Sequence, residues 1–464
     1  MHYAAALAAL ESRGRFGVRL GLRRIKALLR ESGDPQRALR GALIAGTNGK
    51  GSVLALASSA LRAAGYQVGE TPKPHLVTYR ERMQVDGRPV EPATFARLIA
   101  EILPVADKVA RRLGQPTEFE LLTAMIFRWF AEVGVDVAVI EVGLGGRLDA
   151  MHAWDGGVAV ITNVDLDHTD RLGPTVVHIA REKAAIIERG DVAVTGATGE
   201  ALAVVRRRAR RMGAPLTEVM AAPIREIGRD GIVVDLPQLG PTFVGLRGRH
   251  QAANVAVAHA TLDALEAAGI ARVPADDRRT GYRTVTWPGR LELIRADDRE
   301  VLLDGAHNPA GAAALAQALD DLRPSLVAGA TPPGHRPPLT LVMAIMRDKD
   351  VAGVVAALTG SEALADARII CTQLANPRAM PADQLAGAWA AGDGLRTIVV
   401  EQDLEAALAL ALAGDGRWAG GPIVVAGSLY LVGEVRARLV DDPLLRDPQE
   451  DAPTKTSLVS ASAR

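Results

Sequence analysis

Leu43-Ile44-Ala45-Gly46-Thr47-Asn48-Gly49-Lys50-Gly51-Ser52 is the stretch on which the reading of this chain turns. Apolar residues of strand character run into a glycine loop. An alanine-rich helical stretch follows as far as Arg62, with Gly65 placed to end it. A loop between a strand and a helix is where backbone N–H groups and a helix N-terminus gather on phosphate. The glycines let the backbone approach closely, Lys50 can reach terminal phosphates as a point charge, and the Ser52 hydroxyl can meet a magnesium ion. The spacing is a variant of the usual phosphate loop: Ile44 stands where the first glycine belongs, and Gly51 separates Lys50 from Ser52. A plain glycine turn would explain the glycines but not a lysine followed by a hydroxyl.

Outward from this loop the same strand-loop-helix unit recurs. Residues 137–140 lead into Glu141, and residues 158–161 into Thr162-Asn163. Such alternation predicts an α/β fold with a parallel sheet covered by helices, whose ligands collect at the carboxyl ends of strands. A second series begins after Trp287-Pro288-Gly289-Arg290, with strand-like runs at 301–303, 339–343, 368–371, 397–400 and 423–425. The expected organisation is an N-terminal nucleotide-binding domain over 1–288, a hinge at 289–294, and a smaller doubly wound, Rossmann-like α/β domain over 295–440. Residues 328–338 read as a surface loop, and 441–464 as a polar, disordered tail.

Composition narrows the function. Hydrophobic residues at 48% against 23% charged describe a globular protein, and 464 residues are too many for one core. Basic and acidic residues balance at 54 each, so no charge excess favours nucleic acid or an anionic membrane. The arginines at 206, 207, 208, 210 and 211 read as a solvated helix face. A single cysteine, Cys371, in the apolar run Ile369-Ile370-Cys371, reads as packing and excludes an intramolecular disulfide. Glu11, Arg13 and Arg15 interrupt the apolar start, so no signal peptide is expected, and no stretch is apolar enough to span a membrane. A cytoplasmic monomer is expected.

Magnesium takes hard oxygen ligands, and one or two carboxylates with substrate phosphates suffice. Glu141 ends a strand and precedes Val142-Gly143-Leu144-Gly145-Gly146-Arg147, a poor packing solution for a carboxylate. Asn163-Val164-Asp165-Leu166-Asp167-His168-Thr169 brings two acids and a histidine to the same sheet edge. His168 alone would read as structural; beside Glu141 and the glycine loop it reads as a ligand. Lys183, in Arg181-Glu182-Lys183, would be a surface residue on composition alone.

Together these segments resemble the bacterial folylpolyglutamate synthase and dihydrofolate synthase family, a branch of the Mur-type peptide ligases, from about residue 15 to 437. The resemblance rests on the glycine loop, Glu141 through Ala150, Leu166-Asp167-His168-Thr169, Arg181-Glu182-Lys183, Trp287 through Glu292, Asp304-Gly305-Ala306-His307-Asn308-Pro309 and Gly427-Ser428-Leu429-Tyr430. It implies a Mur-ligase-type central domain and a C-terminal domain that closes over ATP and receives glutamate. ATP would phosphorylate a carboxylate of a folate or of dihydropteroate, and the amine of L-glutamate would attack the acyl phosphate. By similarity Thr47, Asn48, Gly49, Lys50, Gly51 and Ser52 contact ATP, as do Asn254, Arg290 and Asp304. Ser52, Glu141 and His168 are the implied magnesium ligands, with potassium a further candidate cation. Lys50, Lys183 and His307 are the implied catalytic residues, Lys183 as a carbamate (N6-carboxylysine). Thr117, Glu118, Phe119 and Glu120, with Leu148, Asp149 and Ala150, match the pteridine-side pocket.

The chain departs from the family pattern at three places. Lys73 stands where a magnesium-ligating serine is usual: either one magnesium is bound differently, or Lys73 replaces some of its charge against phosphate. Arg19 stands where bifunctional members have an acidic pterin contact. Met151-His152 stands where Thr-Asn is usual. Two rival readings are a Mur-type ligase acting on a cell-wall nucleotide precursor and a non-catalytic nucleotide-binding module. The first leaves Pro74-His75-Leu76 and Arg147-Leu148-Asp149-Ala150 unexplained, and substrate-dependent ADP release separates the second from any ligase.

Overall fold

The computed structural model describes residues 1–14, 20–326, 336–392 and 396–448. Arg19, most of the loop read at 328–338 and the chain beyond 448 therefore lie outside the described residues. Eight strands form the first sheet: β1 (Gly41–Ala45), β2 (Val68–Thr71), β3 (Gln84–Val85), β4 (Arg88–Pro89), β5 (Val137–Glu141), β6 (Gly157–Ile161), β7 (Val192–Thr195) and β8 (Leu216–Glu218). Their order is β4-β3-β2-β5-β1-β6-β7-β8, parallel from β2 to β8, with β3 and β4 antiparallel at one edge. β1 and β5 are buried along their whole length, as both faces of a helix-covered parallel sheet must be. Alternate residues serve opposite cores. Leu43, Ala45, Ala138 and Ile140 pack on one face, and Ala42, Ile44, Val137 and Val139 on the other.

A three-stranded antiparallel meander follows: β9 (Ile224–Gly228), β10 (Gly231–Leu236) and β11 (Gly240–Val244). The sequence reading has no counterpart to it. The last sheet is β12 (Glu292–Ala296), β13 (Arg299–Leu303), β14 (Thr340–Met343), β15 (Arg368–Cys371), β16 (Thr397–Val400) and β17 (Ile423–Ala426), ordered β12-β13-β17-β14-β15-β16. All neighbours pair in parallel except β12 with β13. Five of these strands match the expected runs; β12 begins inside the stretch read as hinge and runs on to Ala296. Cys371 is buried in the core, Arg206, Arg207, Arg210 and Arg211 are exposed, and no helix among the described residues is long and apolar enough to cross a membrane.

Helix Leu429–Leu439 packs across onto the N-terminal half. A Cβ at Gly433 would lie 1.9 Å from the Leu76 carbonyl oxygen. In an unobstructed helix interior, alanine is favoured over glycine by about 1 kcal/mol. Here backbone blocks it, so Gly433→Ala is expected to lower the melting temperature. A raised melting temperature on thermal unfolding would show that the two backbones are not held together.

Residues 441–448, expected as the start of a disordered tail, are instead ordered. Arg80 is buried and its guanidinium needs partners. Its Nε donates to Asp447 at 3.0 Å, and its Nη2 donates to the Leu444 and Arg446 carbonyls at 2.9 Å each. Thr78 Oγ1 adds a 2.8 Å bond to Asp447, so the segment straps the C-terminal domain to the N-terminal one.

Candidate active site

β1 delivers the chain into the glycine loop, and helix Lys50–Ala63 begins directly after it. Two glycines are required by the geometry. Gly46 has φ 157°, and a Cβ there would lie 1.8 Å from Thr162 Oγ1; Gly49 has φ 80°, and its Cβ would meet Asn254 Oδ1 at 2.2 Å. The end of β6 braces the loop: Asn163 Oδ1 accepts from Asn48 N at 2.8 Å, and Thr162 Oγ1 donates to Asn48 O at 2.6 Å. Thr47 Oγ1 pairs with the backbone of Asp165, and Ser52 is buried in the first helical turn. Lys50 turns back on the loop, donating to the carbonyls of Gly46 and Thr47 at 3.0 Å each, and lies 3.8 Å from Glu141 Oε1.

Glu141, at the end of β5, is buried beside several cations. Desolvation raises its pKa, and Lys50, Lys73 and Arg290 pull it back. Lys183 is buried as well, which overturns its reading as a surface residue from composition. Helix Val176–Ala184 carries its Nζ to within 2.7 Å of the Gly46 carbonyl. Burial, reinforced by Lys50, pushes its pKa down to about 7. Lys73 is pushed down to about 8 by burial, against the pull of Asp149 and Glu141. His168 has a left-handed backbone (φ 50°), is exposed, and lies 3.7 Å from Asp167 Oδ2.

The other domain faces this group. Asp304, at the end of β13, accepts from the backbone of Leu291 and Ala306 at 3.0 and 2.9 Å, fixing the turn that presents Arg290. His307 Nδ1 bonds the Gly305 carbonyl at 2.7 Å, which assigns the proton to Nδ1. Burial first and Lys349 second push its pKa down to about 4, so the ring is neutral at pH 7 with Nε2 unprotonated. Within the cleft, Asn308 Nδ2 bonds Asn48 Oδ1 at 3.3 Å and Lys349 lies 3.6 Å from Asp167, both across the two halves.

Phe119 and Asp149 line the far wall. Asp149 is buried and accepts from the backbone N–H groups of Gly143, Leu144 and Met151 at 2.9, 2.9 and 3.0 Å. Thr117 and Glu120 form a capping box on helix Glu118–Val133, and Arg24 bonds Glu120 Oε2 at 3.0 Å; Glu120 Oε1 is buried with no hydrogen-bond partner among the described residues. One cavity of about 850 Å³ is lined by the glycine loop, Glu141, His168, Lys183, Asn254, Arg290, Asp304, His307, Thr117 through Glu120 and Leu148 through Ala150. All the residues expected at the site thus meet at one cleft between the domains. Arg378 also lines it, paired with Asp348 at 3.0 Å, and no motif singles it out. Its place just past β15, at a strand's carboxyl end, is the signal that could have found it.

Among the described residues no three His, Cys, Asp or Glu side chains come together as a metal cage. The donor chemistry instead fits magnesium shared with phosphate oxygens, with Glu141 as a hard ligand beside the loop.

Comparison with known proteins agrees with this geometry. Residues 93–262 match a model of the Mur ligase middle domain, and residues 290–439 one of the dihydrofolate synthetase C-terminal domain. A Mycobacterium tuberculosis dihydrofolate synthase/folylpolyglutamate synthase is 36% identical over 460 residues, covering 91% of this chain and 90% of that one. The structure of Mycobacterium tuberculosis folylpolyglutamate synthase complexed with ADP superposes with a TM-score of 0.83 at 33% identity, covering 95% of this chain and all of the other. Escherichia coli FolC in complex with DHPP and ADP gives 0.77 at 30% identity, covering 94% and 97%.

Proposed function

The chain belongs to the folylpolyglutamate synthase and dihydrofolate synthase family, and from that premise we infer that it is an ATP-dependent ligase joining L-glutamate to a folate carboxylate, with dihydropteroate as a second acceptor. The observation that carries this is the single cleft in which a phosphate loop from one domain faces Arg290, Asp304 and His307 from the other, with Phe119 and Asp149 along one wall.

In this reading Thr47 through Ser52 hold the phosphates on loop N–H groups, and Lys50 leaves its loop carbonyls to follow the transferring phosphoryl group. Asn254, Arg290 and Asp304 hold the rest of the nucleotide. Phe119 offers a flat apolar face to the pteridine ring, while Thr117, Glu118, Glu120, Leu148 and Ala150 shape the pocket around it. Glu141, with Ser52 and His168, would hold magnesium, whose positive charge there would lower the barrier to phosphoryl transfer; potassium is a further candidate. Lys183 becomes a carbamate: its neutral amine adds to carbon dioxide and sheds a proton, leaving an anion beside the loop where the protonated lysine would be a cation. His307 orients the glutamate amine by accepting a hydrogen bond at Nε2. An imidazole with a pKa of about 4 is too weak a base to store the ammonium proton. The enzyme acts as a cytoplasmic monomer.

The test is ADP release with glutamate present, offering tetrahydrofolate and dihydropteroate in parallel. Release dependent on either acceptor is expected. Release triggered only by a cell-wall nucleotide precursor, or by no acceptor, would refute the reading.

A further inference from the structure

Lys73 lies two residues beyond β2, where it lines the cleft. Its backbone N–H donates to Glu141 Oε2 at 3.3 Å, and its ammonium donates to the Glu141 backbone carbonyl and lies 4.6 Å from the centre of the Phe119 ring. An ammonium carries three donors. Among the described residues this one has a single hydrogen-bond acceptor and no ion-pair partner, so two N–H groups remain at the cavity wall. A cation drawn out of water with so few partners is unfavourable unless an anion completes it. The nucleotide phosphates already have the glycine loop and Lys50. Lys73 stands with the aromatic and Asp149 half of the cleft, where the acceptor lies in the function proposed above, on which this inference rests.

We propose that Lys73 is a positioning residue that binds the acceptor carboxylate about to be phosphorylated. In that step one carboxylate oxygen bonds to the γ-phosphorus, the bond from that phosphorus to the bridging oxygen breaks, and ADP departs with the electron pair. Lys73 holds the other oxygen, which becomes the acyl carbonyl. The fixed cation offsets repulsion between the carboxylate and the polyphosphate, and it aims the attacking oxygen.

The experiment compares equilibrium binding of a folate acceptor with that of its analogue carrying a carboxamide in place of the reacting carboxylate, and measures ADP binding on the same protein. The full chain is used as wild type, Lys73→Met and Lys73→Ser. Wild type is expected to prefer the carboxylate by about 10- to 100-fold, the worth of a charge-assisted hydrogen bond. Both variants should bring the two ligands within about threefold while ADP affinity stays within about twofold, which also reports an intact fold. A preference retained in both variants overturns the proposal. So does a loss confined to ADP, which would assign Lys73 to phosphate, or a parallel loss of all three ligands, which would make the lysine structural. Failure of wild type to bind either acceptor form would instead refute the folate reading itself.

Discussion

Lys50→Ala is expected to lower the turnover of ATP-driven glutamate addition by at least about a hundred- to a thousandfold, the range seen when one preorganised donor is taken from a developing oxyanion. Phosphoryl transfer leaves the protein little covalent chemistry to perform, so positioning and charge carry the catalysis. Lys50 is the cation that joins the glycine loop to Glu141, at 3.8 Å. Its present partners, the Gly46 and Thr47 carbonyls, lie in the loop that would receive phosphate, so the alanine variant should fold with a melting temperature close to wild type. Glu141→Ala should lose turnover similarly for the complementary reason. It removes the buried carboxylate about which Lys50, Lys73 and Arg290 are arranged. ADP release beside thermal unfolding checks both, and near-normal ligation by either variant would remove the assignment of this site.

Lys183→Ala should be comparably inactive, and its rescue is the informative part. An ordinary lysine, with a pKa of 10.5, is neutral at pH 7 in only about one molecule in three thousand. Burial brings Lys183 to about 7, so roughly half its amine is free to add to carbon dioxide at that pH. Turnover in carbon-dioxide-free buffer should fall and return with bicarbonate, and short carboxylates such as acetate should partly restore the alanine variant. A fully active alanine variant would end the carbamate assignment. The same shift has a stability signature. The folded chain gives up this proton near pH 7 and the unfolded chain only near 10.5, so the unfolded state binds more protons in between and stability must rise with pH there. In carbon-dioxide-free buffer the deficit of wild type against Lys183→Met should narrow from pH 7 upward; a constant difference in urea midpoints would show that the amine is not held in its neutral form.

Most of the fold and much of the site are legible in the sequence because their determinants are local. β1 and the loop from Gly46 to Ser52 are contiguous, and a strand, a left-handed glycine and a lysine at fixed spacing describe themselves. The five parallel strands of the last sheet announce themselves as short apolar runs between helices. The meander from Ile224 to Val244 does not, since its edge strand Ile224-Arg225-Glu226-Ile227-Gly228 has no buried residue and lacks an apolar run.

By itself, the sequence determined the two-domain α/β class, the phosphate loop and the membership that its ordered motifs carry. The tertiary structure alone decided what each isolated residue faces. On composition alone Lys183 reads as a surface lysine, and helix packing is what buries it against Gly46; Lys73 reads as a substitution until its ammonium is found between Glu141 and Phe119 with donors to spare. Residues 441–448 read as tail until Asp447 meets Arg80, 367 positions away. The physical reason is common to all three. Composition and periodicity report a residue's neighbours along the chain, whereas burial and charge pairing depend on groups that only the folded topology brings within a few ångströms.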